Sequence, residues 1–458
     1  MKPIQIEQAV TATKGSLLQG NPKATISGVS HDSRNATDEH LFFAIVGERF
    51  DGHDFIRDVV KAGCRNIVVS HRKWMDQTDT EGIQVILVED TVKALQNMAS
   101  WYLKTFAVTT IGVTGSTGKT STKDMMYAVC STKYKTGSTK GNFNNDIGMP
   151  LTVLGLPDDT EVAVLEMGMD HFGEIHRLVD IARPTIGLIT NIGISHMENL
   201  GSRKGIMKAK MEITDYFGKD NTLVISTGED LLRKENIHGI YQLVTTGSEP
   251  DNDYVIGDIK EKPLQGLDFT LTHCGKFQRF HLSIAGRHNA FNAALAVAAG
   301  EKLGISMAQA AEGLAAMELT KGRLTVKKNK DVMIIDDTYN ASPDSVKAAV
   351  DVLSGVEGKR KIAILGDMYE LGDDTDHWHR QVGEYVAASA VDTVYAIGEH
   401  AKYIAMGAGE KGEYFAEKEA FLQGLKDRIG NDACVLVKGS RGMAMETIVE
   451  ELLVLESE

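Results

Sequence analysis

The run Val113-Thr114-Gly115-Ser116-Thr117-Gly118-Lys119-Thr120 joins an apolar stretch, Ala107 to Val113, to a helical pattern that begins near Lys119. Strand, glycine-rich turn and helix N-terminus in that order build a cradle whose backbone N–H groups close on phosphate oxygens. In such a cradle Lys119 reaches the β- and γ-phosphates of a nucleoside triphosphate, and the Thr120 hydroxyl faces Mg²⁺. The common pattern has a glycine five positions before Gly118, where this chain has Val113, so the run reads TGSTGKT. A turn that merely happens to precede a lysine is the alternative, but strand, loop and helix all fall where phosphate binding needs them.

At 458 residues the chain exceeds one ordinary core, and its patterning divides it into three domains. Residues 1–105 mix short strand candidates (Ala24–Val29, Leu41–Val46, Asn66–Val69, Gln84–Val88) with the helical stretch Val92–Lys104, which predicts a small N-terminal α/β domain. Over 106–318, strands at Ala107–Val113, Glu161–Leu165, Ile186–Thr190 and Leu223–Ser226 alternate with helices, predicting a central P-loop-type parallel sheet domain. An antiparallel meander between Tyr254 and Ile284 and a helix over Asn289–Leu303 follow within it. The polar junction Thr320-Lys321-Gly322-Arg323 opens the third part, 319–458. There strands at Val332–Ile335, Lys361–Leu365, Thr393–Ile397 and Cys434–Val437 predict a C-terminal Rossmann-like, doubly wound domain.

The formal charge of −14 argues against a chain whose main task is to hold nucleic acid. There is no apolar run of membrane-spanning length and no signal-like N-terminus, so a cytoplasmic location without membrane insertion is expected. Cys64, Cys130, Cys274 and Cys434 lack CxxC spacing and read as buried thiols.

Glu166 directly follows an apolar strand, and His196 comes a few residues after the strand ending at Thr190-Asn191. Carboxyl ends of parallel strands form the ligand crevice, so both side chains are expected on the edge that carries Gly118 and Lys119, where they could hold divalent metal. A capping Glu and a structural His are the alternatives. The segment Thr139–Pro150 is dense in amides, including Asn142 and Asn145, and reads either as an irregular surface loop or as a loop presenting polar groups to substrate. By composition, Lys210 with Arg203 and Lys204 forms a solvated basic helix face, and His377 and His379 form one side of a helical or loop surface.

Seven ordered blocks resemble the ATP-dependent Mur ligases of bacterial cell-wall synthesis: TGSTGKTSTK at 114–123, TKGNFNNDIGMP at 139–150, EMGMDHFGEI at 166–175, TNIGISHMENLGS at 190–202, KMEI at 210–213, GRHNAFNAALA at 286–296 and DDTYNASPDS at 336–345. GDMYELG at 366–372 and KGSRGM at 438–443 resemble the branch of that family that joins D-Ala-D-Ala to UDP-MurNAc-tripeptide. Ser195 replaces a usual alanine and Ala341-Ser342 a usual Ala-Asn, small changes that leave the chemistry intact.

The resemblance implies a peptide-bond-forming reaction through an acyl phosphate, with ATP and two Mg²⁺. It implies that Gly115, Ser116, Thr117, Gly118, Lys119 and Thr120 hold the phosphates, with Thr120 and Glu166 on one Mg²⁺ and His196 on a second. Lys119, Lys210 and His196 would form the catalytic set, Lys210 matching a family lysine that becomes a carbamate. Asn289 corresponds to an adenine-reading asparagine, while Arg323 and Asp336 or Asp337 would reach ATP from the third domain. The site would then be complete only on domain closure, so an open resting form is expected. Ser33 and Arg34 would face the UDP-sugar, Asn142 and Asn145 the substrate, and Lys438 and Arg441, with Ser440, a peptide carboxylate. The expected partners are these small molecules, and the expected state is a monomer. The alternatives are another ligase of the superfamily, MurE-like or folylpolyglutamate-synthase-like, or a P-loop NTPase that is not a ligase.

Overall fold

The computed structural model describes residues 1–47, 50–77, 81–318 and 320–455. Leu319, where the expected third domain begins, lies outside the described residues. The chain forms two compact units, one of Met1–Thr114, Lys133–Gly187 and Met211–Thr222, the other of Gly115–Thr132, Leu188–Lys210 and Leu223–Glu458. It therefore passes from one unit to the other at Thr114/Gly115, where the phosphate-loop motif begins.

In the first unit a five-stranded sheet has the order Ser16–Gln19, Gln84–Leu87, Asn66–Val69, His40–Phe43, Gly28–Ser30. The last four are parallel and the edge strand Ser16–Gln19 is antiparallel. Asn66–Val69 is buried at every position, as expected for a parallel strand covered on both faces, and Ile67 and Val69 pack with Phe42, Val59 and Val85. The helix Thr91–Leu103 starts where Asp90 accepts the Lys93 N–H at 2.9 Å. Strand Thr109–Thr114 then pairs in parallel with Val162–Glu166, which pairs on its other side with Thr136–Ser138.

In the second unit the helix Lys119–Ser131 packs against His288–Lys302 and Met307–Ala315. The expected meander is present as Tyr254–Lys262, Gly266–His273 and Lys276–Leu282, with Phe269 stacked on Phe280 at 5.1 Å. A six-stranded sheet runs Thr325–Asn329, Val332–Asp337, Ala433–Lys438, Arg360–Gly366, Thr393–Ile397, Gly412–Phe415, all parallel except the first. The last strand in sequence inserts between the second and third. This order brings the carboxyl ends of Val332–Asp337 and Ala433–Lys438 side by side, with Asp337 in register with Lys438.

Two expectations are corrected. Cys274 is exposed in a hairpin turn, while the other three thiols are buried. His379 is fully buried, its Nε2 accepting the Met368 N–H at 2.9 Å, so the stretch around Trp378 is not a histidine surface: the helix Thr375–Ala388 turns His379 inward. Among the described residues no helix is long and apolar enough to cross a membrane.

Candidate active site

The phosphate loop closes as its glycines require. Gly115 has φ +151° and Gly118 φ +77°, conformations that a side chain would strain. Gly118 stands at the N-cap of Lys119–Ser131, so the loop feeds directly into a helix N-terminus. Asn191 braces the loop: its backbone carbonyl accepts the Ser116 N–H at 3.1 Å and its Oδ1 accepts the Thr117 N–H at 3.0 Å. The Thr190 hydroxyl donates to the Thr117 carbonyl at 2.6 Å. Two of the six residues expected to cradle phosphate thus spend their amides on the protein. The amides of Gly118, Lys119 and Thr120, at the helix start, have no acceptor within the helix and suit an anion.

Lys119 folds back over the loop, its Nζ donating to the Gly115 and Ser116 carbonyls at 2.8 and 3.3 Å. Arg323 donates from Nη2 to the Thr120 hydroxyl at 3.1 Å. Its guanidinium lies over the Tyr339 ring, 4.1 Å from the centroid. The buried Ser116 Oγ and Arg323 Nε have no hydrogen-bond partner among the described residues. Orphaned polar atoms beside a helix N-terminus and a lysine are what a bound polyphosphate would satisfy.

In the first unit Glu166 is buried at the end of its strand, in register with Val113, two residues before Gly115. Asn144 donates from Nδ2 to Glu166 Oε1 at 2.8 Å, and the Glu166 N–H donates to the Thr139 hydroxyl at 2.9 Å. The second carboxylate oxygen, Oε2, is buried without a hydrogen-bond partner among the described residues. An anionic oxygen left open in this way fits a hard cation.

Three family models match the chain in order: "Mur ligase family, catalytic domain" over residues 25–102, "Mur ligase middle domain" over 113–300, and "Mur ligase, glutamate ligase domain" over 322–441. The UDP-N-acetylmuramoyl-tripeptide--D-alanyl-D-alanine ligase of Bacillus subtilis is 40% identical over 98% of each chain. The chain belongs to the Mur ligase family. MurF from Acinetobacter baumannii superposes with a TM-score of 0.92 over 99% of each chain at 32% identity. MurF from Thermotoga maritima, solved with ADP, superposes at 0.82 over 93% of this chain and 97% of that one, at 29% identity.

Several residues in and beside the Mur ligase blocks differ from expectation. Lys210 is the penultimate residue of the helix Arg203–Met211 and is almost fully buried, so the expected solvated basic face is only partly solvated. Arg203, on the same helix, pairs with Glu229 at 2.9 Å and Asp230 at 2.8 Å. His196 adopts the left-handed conformation, φ 63°, and its Nδ1 lies 3.4 Å from Glu370 Oε2. Asn289 is buried, donating to the Ala285 carbonyl at 2.7 Å and accepting from Asn292 at 3.3 Å. Asn292, absent from the expected set, sits where a side chain on Gly118 would fall.

Asp336 and Asp337 are both engaged within the protein. Asp336 accepts from the Thr338 hydroxyl at 2.7 Å and from Lys327 at 2.8 Å. Asp337 accepts the Leu324 N–H at 3.2 Å and pairs with buried Lys438 at 2.5 Å. Burial holds the Lys438 ammonium below the ordinary lysine range, with Asp337 opposing that shift. Ser440 is buried and accepts the Tyr369 N–H at 2.9 Å, and Arg441 is exposed and pairs with Glu446 at 2.8 Å.

In the amide-rich segment, Asn145 Oδ1 accepts the Gly148 N–H at 2.9 Å where the helix Gly148–Leu154 starts, Asn142 is exposed, and Asn144 is the residue on Glu166. A cleft of about 450 Å³ in the first unit is lined by Ser27, Ser30, Asp32, Asn35, His40 and Phe143, among others. Ser33 and Arg34 flank this lining rather than forming it. Arg34 is exposed and forks onto Asp32, whose carboxyl it holds down to about 2.

Proposed function

We propose that this Mur ligase joins D-alanyl-D-alanine to a UDP-N-acetylmuramoyl-tripeptide at the expense of ATP, acting as a cytoplasmic monomer. The reading rests on one observation above all: an arginine from beyond the central fold touches the first turn of the phosphate-loop helix, Arg323 on Thr120 at 3.1 Å, in a loop whose buried Ser116 Oγ has no hydrogen-bond partner among the described residues. A loop that only bound nucleotide would need no such second cation. A reaction that builds charge on a transferring phosphoryl group does.

The substrate carboxylate attacks the γ-phosphorus of ATP, the β,γ-bridging oxygen leaves with ADP, and an acyl phosphate forms. A free carboxylate resists attack by an amine, whereas phosphate is a good leaving group. The amine of the dipeptide adds to the carbonyl carbon, loses a proton, and the C–O bond to phosphate breaks. Lys119 and the helix start neutralise the phosphates, and Arg323 stabilises the transferring group. Glu166 through its open Oε2, Thr120 through its hydroxyl and His196 through its imidazole would hold Mg²⁺, which when bound neutralises phosphate charge. Lys210, buried at a helix end, would act as a carbamate, an anion replacing a cation. The cleft lined by Ser30 and Asn35 would take the UDP-sugar.

The test is a product-forming assay with ATP and paired substrates. Phosphate release should require both UDP-MurNAc-tripeptide and D-Ala-D-Ala, with UDP-MurNAc-dipeptide plus lysine or diaminopimelate inactive. Equal ATP turnover with neither partner present would overturn the reading. Lys119→Ala should abolish product while far-UV circular dichroism stays that of the parent.

A further inference from the structure

The helix Lys119–Ser131 carries a second contact to the segment that supplies Arg323. Asp124 lies four residues after Thr120, one turn along the same face. Its Oδ2 accepts the Thr320 hydroxyl at 2.5 Å, and Arg323, three residues after Thr320, reaches Thr120 at 3.1 Å. Two residues of the polar junction thus step along two successive turns of the phosphate-loop helix. The carboxylate is held from its other side too, since Lys123 Nζ lies 2.8 Å from Asp124 Oδ1, with both side chains largely buried.

We propose that Asp124 and Thr320 form a latch that seats Arg323 on the phosphate loop, which makes both of them positioning residues for the ligation; the inference rests on the reading given under Proposed function. An arginine that stabilises a transferring phosphoryl group must be held to within a fraction of an ångström, and a flexible side chain on a glycine-containing junction is not so held by itself. Gly322 has φ +72° and turns the chain between the two contacts. The Gly322 carbonyl accepts the Tyr339 N–H at 3.1 Å, and the Tyr339 ring supports the guanidinium. The far side of the arginine is therefore fixed by its own domain, and the near side by the hydroxyl-to-carboxylate bond on the helix. A bond to a charged acceptor is the stronger kind, and its strength matches the task. The hydrogen bonds and ion pair of Asp124 are made to Thr320 and Lys123 within the protein, and the pair acts through Arg323.

Thr320→Val removes the donor, keeps the shape and leaves the Lys123–Asp124 pair intact. It should lower the ligation kcat about tenfold, as expected for loss of a hydrogen bond to a charged group, while KM for ATP and D-Ala-D-Ala stays within about twofold. Thr320→Ser, which keeps the hydroxyl, should restore the parent rate. In an Arg323→Ala background, Thr320→Val should add no further loss, because the latch has nothing left to position. Limited trypsin digestion gives a readout independent of activity: cleavage after Lys321 should be several-fold faster in Thr320→Val than in the parent or Thr320→Ser. A Thr320→Val enzyme at full rate with unchanged cleavage, a Thr320→Ser enzyme as slow as Thr320→Val, or an additive loss on Arg323→Ala would overturn the latch. A parent that forms no product overturns the ligase reading instead, and the digestion still decides whether the junction is latched.

Discussion

Lys438 and Arg441 stand three residues apart, and burial gives them different work. Lys438 is inside, paired with Asp337, so Lys438→Met strands a buried carboxylate and should lower unfolding free energy by ~3–5 kcal/mol in a denaturant titration. Adding Asp337→Asn should recover part of that loss. A Lys438→Met variant of parental stability would show that the pair is not what holds these strand ends. Arg441, 63% exposed at its side chain, should tolerate alanine with little change in stability, so a raised KM for D-Ala-D-Ala in Arg441→Ala would report its substrate role directly. Lys210→Ala should be inactive and partly rescued by a small added carboxylate, with absence of rescue counting against the carbamate. What the sequence showed at this scale was set by distance along the chain. Gly118, Lys119 and Thr120 are legible because one local run must supply cradle, cation and hydroxyl together. Asn144, Asn191 and Asn292 are not, since each meets its partner only after distant segments fold together. Lys438 meets Asp337 across 101 positions, a pairing fixed by strand register that no spacing rule encodes.

The helix Lys119–Ser131 is the element on which the site depends, and Gly118 decides where it begins. Alanine there would have to adopt φ +77°, and its Cβ would fall 3.0 Å from Asn292 Nδ2. Gly275, with φ +74° in a hairpin turn and nothing near its Cβ position, carries the backbone strain alone and serves as the control. Both substitutions should lose about 1–2 kcal/mol for the left-handed conformation, Gly118→Ala should lose more, and only Gly118→Ala should abolish nucleotide-dependent thermal stabilisation. Equal losses with nucleotide response intact would mean that Asn292 moves freely and that the loop does not need its glycine. Elements of this kind were legible where burial is two-sided: Thr393–Ile397 and Asn66–Val69 fall where their apolar runs predict, and Thr91–Leu103 differs by one residue at each end, its start set by the Asp90 cap. The order of the six-stranded sheet was not legible, because insertion of Ala433–Lys438 between two earlier strands leaves no mark in the local pattern.

At the scale of the whole molecule, each compact unit holds a buried histidine whose neutral form is built into the fold. In the first unit His53 accepts the Ser70 N–H at Nε2, 3.0 Å, and faces Asp51 at Nδ1, 2.6 Å. In the second His379 accepts the Met368 N–H at Nε2 and faces the Thr375 carbonyl at Nδ1, 2.7 Å. Burial is the leading cause that holds both imidazoles below the ordinary histidine range, with Asp51 partly opposing it at His53 and the Thr375 carbonyl at His379. A proton on either Nε2 would turn an acceptor toward a backbone N–H that needs one. The unfolded chain therefore takes up these protons first, near pH ~6.5, and the folded chain only at lower pH. Stability contributed by both residues is present above about pH 6.5 and is lost as pH falls toward the depressed folded values, with a slope of up to ~2.7 kcal/mol per pH unit if both titrate together. Glu229 works the other way: burial raises its carboxyl, so the folded chain keeps that proton longer and the acid limb is partly offset. The expected result is a melting temperature that falls between pH 7.5 and pH 5.5. The variant His379→Gln, whose amide oxygen can still accept from Met368, should be less stable than the parent at neutral pH and should show a shallower acid limb. An acid limb as steep in His379→Gln as in the parent would remove His379 from the account and leave the loss to other groups.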